Sequence, residues 1–321
     1  MMAESHVLKV WDAVFRFEQF SKEHLSEIWD VFAGSVNDAS GEDADYVIRL
    51  EPLDLQFHPM HAAETKPRHR GGSSSKKYFL DGTEFLSESQ NRDVTVLFES
   101  PGQSSYMADG TTILAGPNQA TVCTSSAPPP MLLADLVENY LLAQAKNKGW
   151  LMIHCAGWIL PSQNAVALMA GNSGIGKTHT LFRHLKTGCS FFSNDRAFLR
   201  IHNGILEARS FPLPVNIGCG TIRALDLDIP HFEFDDHSKI RLTPDQVKDM
   251  LGADYDRWYP VDVVLTPNLR ELEDNLYWHQ DEHHPFWNRS LMPADLEPEL
   301  EAAFRDKLND LIEICEKVIP V

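Results

Sequence analysis

The sequence predicts an α/β protein in two parts: an α+β module over residues 1–130, then a phosphate-loop nucleotide-binding domain over residues 131–321. Three observations predict it. The octet Gly171-Asn172-Ser173-Gly174-Ile175-Gly176-Lys177-Thr178 fits the pattern G-x-x-x-x-G-K-[ST]. A short apolar run, residues 164–170, precedes the octet and reads as a buried strand, while residues 178–186 follow it as a helix. Residues 1–126 instead mix strand-like runs with one amphipathic helix, and Ala127-Pro128-Pro129-Pro130 closes that module.

Each element has its own signal. Residues 7–17 (VLKVWDAVFRF) suit one strand. Residues 22–32 carry Leu25, Ile28, Trp29 and Phe32 at 3/4 spacing behind Ser21 as N-cap, which predicts a helix. Residues 46–50, 94–98 and 120–123 are strand-like. Residues 58–77 mix His, Pro, Gly and Ser around Lys66, Arg68, Arg70, Lys76 and Lys77, the one basic stretch in an acidic protein. They read as a mobile surface loop, with an anion- or substrate-contacting loop as the alternative.

In the second part, residues 131–148 predict an amphipathic helix leading into the core. A strand over 150–156, a turn over 157–163 and the strand over 164–170 bring the chain to the octet. After the helix at 178–186, residues 190–193 form a strand ending at Asn194-Asp195. Residues 197–201 and 205–209 flank His202-Asn203-Gly204, a hairpin signal. Residues 261–265 are a late core strand. Residues 293–318 carry Leu296, Leu300, Phe304, Leu308, Leu311, Ile312 and Cys315 on one stripe and read as a packing helix.

Composition narrows the function. Hydrophobic content of 43% and charged content of 23% are those of an ordinary globular protein. The balance of 28 basic against 46 acidic residues gives a net charge of −18, which repels phosphodiester backbones and argues against a nucleic-acid partner. No apolar run approaches the length of a membrane span and the N-terminus lacks a signal-peptide profile, so a cytoplasmic protein with no membrane partner is expected. Cys123, Cys155, Cys189, Cys219 and Cys315 are odd in number and contain no C-x-x-C pair, so they read as reduced. A homo-oligomer stays open.

The octet carries the chemistry. Its four fixed positions match by chance in roughly one chain of this length in a hundred. Its glycines let successive N–H groups converge on one anion, Lys177 reaches β/γ-phosphates and the Thr178 hydroxyl can ligate Mg²⁺. The expected ATP-binding residues are Gly171, Asn172, Ser173, Gly174, Ile175, Gly176, Lys177, Thr178 and His179. Transfer also needs a carboxylate near the γ-phosphate, and Asp195, after an apolar strand, supplies one for a proton or for Mg²⁺. The plain alternative is an aspartate that starts a turn.

Residues 151–199 resemble the catalytic core of the bacterial HPr kinase/phosphorylase family. The resemblance rests on His154-Cys155-Ala156, Gly171 to Thr178 and Asn194-Asp195, in that order. It implies a mixed-sheet nucleotide domain with flanking helices, related to phosphoenolpyruvate carboxykinase cores. It also implies ATP·Mg²⁺-dependent phosphorylation of a hydroxyl and a functional His154, a residue that by type alone reads as a core histidine. Two departures follow. The family has two acids where this chain has Asn194 and Asp195, so Asp195 takes the base and metal-linked work, and reverse phosphorolysis is expected to be weak or absent. The founding members' acidic-Arg-Gly signature is missing, so recognition of HPr itself is not expected. Arg223 stands as a phosphate contact or a plain surface residue.

Other features carry less. Residues 231–237 and 281–284 hold metal-capable side chains without a ligand template and read as solvated loops. Trp258, Tyr259, Trp278 and Trp287 suit packing or a substrate cleft. The expected function is an ATP-dependent kinase acting on a hydroxyl-bearing acceptor (a serine of a protein or peptide, or a small metabolite), with Asp195, Lys177 and His154 as catalytic residues and Thr178 and Asp195 at Mg²⁺. The alternative is an ATP-binding regulator with slow ATPase activity.

Overall fold

Helices and strands mix throughout the computed structural model, as expected of an α/β protein. It describes residues 5–32, 43–52, 62–63, 74–80, 83–91, 94–98, 104–108, 111–115, 118–124, 130–172, 174–227, 239–276 and 297–315. The chain divides into two compact units: Met1–Trp29, Ser35–Gln144 and Gln280–Ala294 in one; Asp30–Gly34, Ala145–His279 and Asp295–Val321 in the other.

The first unit is dominated by one sheet. Strand β1 (Ser5–Val10) and β2 (Ala13–Glu18) form a hairpin where the sequence predicts a single strand. The reversal is made by Trp11-Asp12, with Trp11 at φ 54°, a conformation few non-glycine residues take. Helix α1 (Lys22–Phe32) follows, its start marked by the Ser21 hydroxyl accepting from the His24 amide at 3.4 Å. Then come β3 (Tyr46–Pro52), β4 (Ala62–Ala63), β5 (Ser74–Leu80), β6 (Thr83–Asn91) and β7 (Val94–Phe98). Strands β8 (Ser104–Ala108), β9 (Thr111–Ala115) and β10 (Gln119–Thr124) complete the sheet, ordered β1-β2-β3-β10-β9-β8-β7-β6-β5-β4. Lys76 and Lys77, expected in a loop, lie on β5, whereas Lys66, Arg68 and Arg70 fall outside the described residues. Phe15, Phe17, Ile48 and Val122 are fully buried. Phe15 stacks on Tyr46 at 4.9 Å and Tyr46 on Tyr140 at 4.6 Å, and the Tyr140 hydroxyl donates to the Gln119 carbonyl at 2.8 Å. That tyrosine belongs to α2 (Pro130–Asn147), whose last turn falls in the second unit.

The second unit begins with β11 (Leu151–Leu160), β12 (Ala165–Ala170) and α3 (Lys177–Lys186). Strands β13 (Ser190–Ser193), β14 (Arg196–His202) and β15 (Ile205–Ser210) follow, the last two as the expected hairpin. A small pair, β16 (Val215–Gly218) with β17 (Lys239–Leu242), brackets α4 (Cys219–Leu225). Helix α5 (Pro244–Leu251), started by a Thr243/Gln246 capping box, leads to β18 (Tyr259–Thr266) and α6 (Leu269–Glu273). Helix α7 (Pro298–Asn309) and β19 (Ile312–Ile314) are the last described elements.

The sheet runs β12-β11-β14-β15-β18-β19, and β12 also pairs with β18, so the pairings return on themselves. Two apolar clusters line it. One joins Ile153, Cys155, Leu168 and Phe192 to Phe304 and Leu308 of α7; the other joins Ala156, Trp158 and Met169 to Leu181 and Phe182 of α3.

Two sequence-based boundaries differ from the structure. Gly157, expected in a turn, lies inside β11, opposite Leu168 and Ser193. A Cβ there would meet Phe192 Cδ1 at 2.8 Å and Leu168 Cδ2 at 2.9 Å, so this glycine answers to close packing. The C-terminal helix stops at Asn309, and Ile312 pairs with Val264 in a parallel strand. Leu300, Leu311 and Ile312 all reach the same core cluster, so the apolar stripe is genuine while its last part is strand. Residues 293–296 and 316–318 of that expected helix lie outside the described residues.

Candidate functional site

The glycine loop leaves the end of β12, every residue of which is buried. Gly171, Gly174 and Gly176 sit at φ 148°, 88° and 94°, conformations that L side chains rarely adopt. Gly176 is the N-cap of α3 and provides no side-chain cap, and the first turn of α3 holds no acidic residue. The amide of Thr180 is the first to find an intrahelical acceptor, Gly176 O at 2.8 Å. The amides of Lys177, Thr178 and His179 therefore precede the helix ladder, which makes this end suited to an anion.

Lys177 is buried, at 9% exposure, and its Nζ donates to Gly171 O at 2.6 Å and to Asn172 O at 3.3 Å. The ammonium thus lies over its own loop. Asn172 is exposed; its carbonyl also accepts from the Ile175 amide at 3.4 Å. Ile175 is buried, and Thr178 and His179 are half-buried. Ser173 lies outside the described residues.

Facing the loop is a second constellation, held by sheet register. On β11, Cys155 pairs with Ala170, the residue before the loop, and on its other side the Cys155 amide donates to Asp195 O at 2.9 Å. With strands spaced about 4.8 Å apart, the backbone of Asp195 lies about 10 Å from the loop's first residues. Asp195 does not end a strand at the sheet's rim, as the sequence suggests. Strands β13 and β14 run on along β11, with Ser193 opposite Gly157 and Arg196 opposite His154, and Asn194-Asp195 is the irregular step between them. Ser193 bridges that step, its hydroxyl donating to Arg196 O at 2.7 Å.

The Asp195 carboxylate reaches back to the strand, with Oδ1 3.3 Å from His154 Nε2 and Oδ2 3.7 Å from Arg196 Nε. Alternation along β11 puts His154 on the face of Ala156 and Trp158, which α3 covers. Burial pushes the Cys155 thiol up; Lys177 pulls it partly back and Asp195 adds to the rise, so both groups act on this one atom. Lys177 and Asp195 thus lie on either side of Cys155, and His154 meets Asp195 from the opposite face of β11.

Two members of the constellation carry no sequence signal of their own. Arg196 is named by its register with His154 and its contact with Asp195. Asn275, at 3% exposure, follows α6, and its carbonyl accepts from the His154 amide at 2.9 Å. Its side-chain amide donates to Asn172 Oδ1 at 3.2 Å. Asn275-Leu276 takes the place beside β11 that β12 vacates when the chain turns into the loop, with Leu276 bridging Ile153.

The remaining candidates fall elsewhere. Arg223 is exposed on α4. Trp258 packs against Trp150 at 4.8 Å and under Arg200 at 4.2 Å, and Tyr259 belongs to the buried core. Residues 231–237 and 281–284, Trp278 and Trp287 lie outside the described residues. Among the described residues no group of three or more His, Cys, Asp or Glu is arranged to hold a metal ion. Mg²⁺ in nucleotide sites takes one or two protein ligands plus phosphates and water; of the two expected ligands, Thr178 is half-buried and Asp195 partly exposed. No family model matches the chain, and no curated protein is similar enough to it to count as a match.

Proposed function

We propose that this chain is an ATP-dependent kinase that transfers the γ-phosphoryl group to a hydroxyl acceptor, a serine side chain or a small metabolite. The observation that carries the reading is the pairing of a positive-φ glycine loop, Lys177 over it, with the Asp195–His154 contact across Cys155. Mg²⁺·ATP supplies the phosphoryl group and neutralises part of its charge. The amides from Gly174 to Lys177 would hold the phosphates, Lys177 Nζ, held by Gly171 O in this structure, would turn to the β/γ oxygens, and the Thr178 hydroxyl would ligate the metal. Asp195 accepts the proton of the acceptor hydroxyl as its oxygen bonds to phosphorus and the bond to the ADP oxygen breaks. His154 orients that carboxylate, and Arg196 offsets charge beside it.

Kinship with the HPr kinase/phosphorylase group belongs to the same proposal, supported by the order of His154, the loop and Asp195 along the chain. A cytoplasmic setting is supported by five free cysteines. Among the described residues no helix is long and apolar enough to cross a membrane.

The test is incubation of the full chain with Mg²⁺ and γ-labelled ATP in cell extract. Label is expected on an acceptor. Label found solely as free phosphate replaces the kinase by a slow ATPase regulator, and the absence of any Mg²⁺·ATP binding heat removes both.

A further inference from the structure

We infer that Asn275 is a positioning residue that fixes the distance between the glycine loop and the His154–Asp195 pair; the inference rests on the kinase reading above. Two hydrogen bonds leave this one residue in different directions. Its side-chain amide holds Asn172 Oδ1 at 3.2 Å, across 103 positions of sequence, and its carbonyl holds the His154 amide at 2.9 Å. Each partner is one step from a reacting group. The Asn172 carbonyl accepts from Lys177 Nζ, and the His154 ring contacts Asp195. Asn275 is buried and braced by the neighbouring Leu276–Ile153 bridge, so it is a rigid anchor for an exposed loop residue.

The physical need is clear from what the loop lacks. Its glycines set its shape but not its position relative to β14, because the chain leaves the sheet at Gly171 and enters regular structure again only at α3. In-line transfer requires the reacting oxygens to be held close, and a displacement of about 1 Å costs on the order of 10²-fold in rate. A bond from β11's own neighbour to the loop's second residue removes that freedom. Nucleotide affinity depends on the amides and Lys177, which the bond does not supply. The signature is a loss of rate with affinity kept.

The experiment uses the full chain, with Asn275→Ala, Asn172→Ala and the double variant; Asn172 is exposed, so its variant keeps the fold. The readouts are Mg²⁺·ATP affinity by calorimetry and the single-turnover consumption of bound γ-labelled ATP. Both single variants are expected to slow consumption about tenfold to hundredfold, and Asn275→Ala, which lies outside the glycine loop, to hold affinity within about threefold. The double variant is expected to be no slower than the worse single one, since both remove the same bond. Unchanged rates, an affinity loss in Asn275→Ala as large as its rate loss, or losses that multiply each overturn the inference. If the wild-type chain does not bind Mg²⁺·ATP, the kinase reading fails by itself, and hydrogen exchange decides the tie. Amides 171–176 should then exchange at least tenfold faster in Asn275→Ala, and unchanged exchange overturns it.

Discussion

The glycine loop and the wall facing it are built by opposite means. The loop is a run of consecutive residues whose shape is set by its own glycines at positive φ. The wall (His154, Asp195, Arg196 and Asn275) is spread over more than a hundred positions and meets through strand register and single hydrogen bonds. The loop is therefore a local device and the wall a tertiary one. The difference has a functional consequence: damage to the loop should appear in nucleotide binding, and damage to the wall in transfer.

Lys177→Ala should produce the largest effect, because the lysine serves both. Its Nζ is held by Gly171 O, and the proposed transfer needs it at the phosphates in both binding and reaction. Removing such a charge partner costs about 10³-fold in kcat, and affinity should fall with it. Asp195→Asn should come next and separate the two. The amide keeps the size of the side chain but accepts no proton, so single-turnover consumption of γ-labelled ATP should drop about 10²-fold, the low end for a lost general base. Calorimetric affinity for Mg²⁺·ATP should stay within a fewfold. An Asp195→Asn variant that binds poorly yet transfers at full rate would merge wall and loop into one function.

Glycine substitutions sharpen the comparison at smaller scale. At Gly174 (φ 88°) a Cβ would meet nothing within 4 Å, so Gly174→Ala costs conformational strain alone. That strain is about 1–2 kcal/mol, which corresponds to roughly tenfold in Mg²⁺·ATP affinity if the loop must hold its shape to bind. Gly157→Ala has ordinary backbone angles but collides with Phe192 and Leu168. It should destabilise the unit by about 1–3 kcal/mol, seen as a lower thermal midpoint, with affinity per folded molecule retained.

The same contrast governs what could be read from the chain. The end of β12, the positive-φ glycines and the start of α3 were legible because each follows from its own local residues. Asp195 was legible as an acid after an apolar run, yet its setting was not, since only the pairing of both β13 and β14 with β11 makes it a step in a ribbon. Asn275 was invisible, because an asparagine after a short helix announces nothing until Asn172 is beside it. Gly157 misled because flexibility and lack of a side chain are written with the same letter. Trp11 hid a hairpin, since a bulky residue at φ 54° imitates strand continuity. The stripe through Leu308, Leu311 and Ile312 predicted burial correctly and periodicity wrongly, since β19 supplies the last contacts from an extended backbone.

Cys155 gives the finest test, because it lies between loop and wall and touches neither reaction. Its folded-state pKa stands above the ordinary 9.0, with burial as the leading cause. A raised thiol pKa means that burial of the neutral form contributes its full stability below about pH 9 and loses it as pH rises further. At pH 8 iodoacetamide should therefore modify the half-buried Cys189 and leave Cys155 intact until denaturant is added, as read by peptide mass spectrometry. Because burial outranks the opposing influences of Lys177 and Asp195, neither Lys177→Ala nor Asp195→Asn should unmask this thiol. If either variant lets Cys155 react, its lost activity reports an opened sheet, and the division of labour between loop and wall loses its main support.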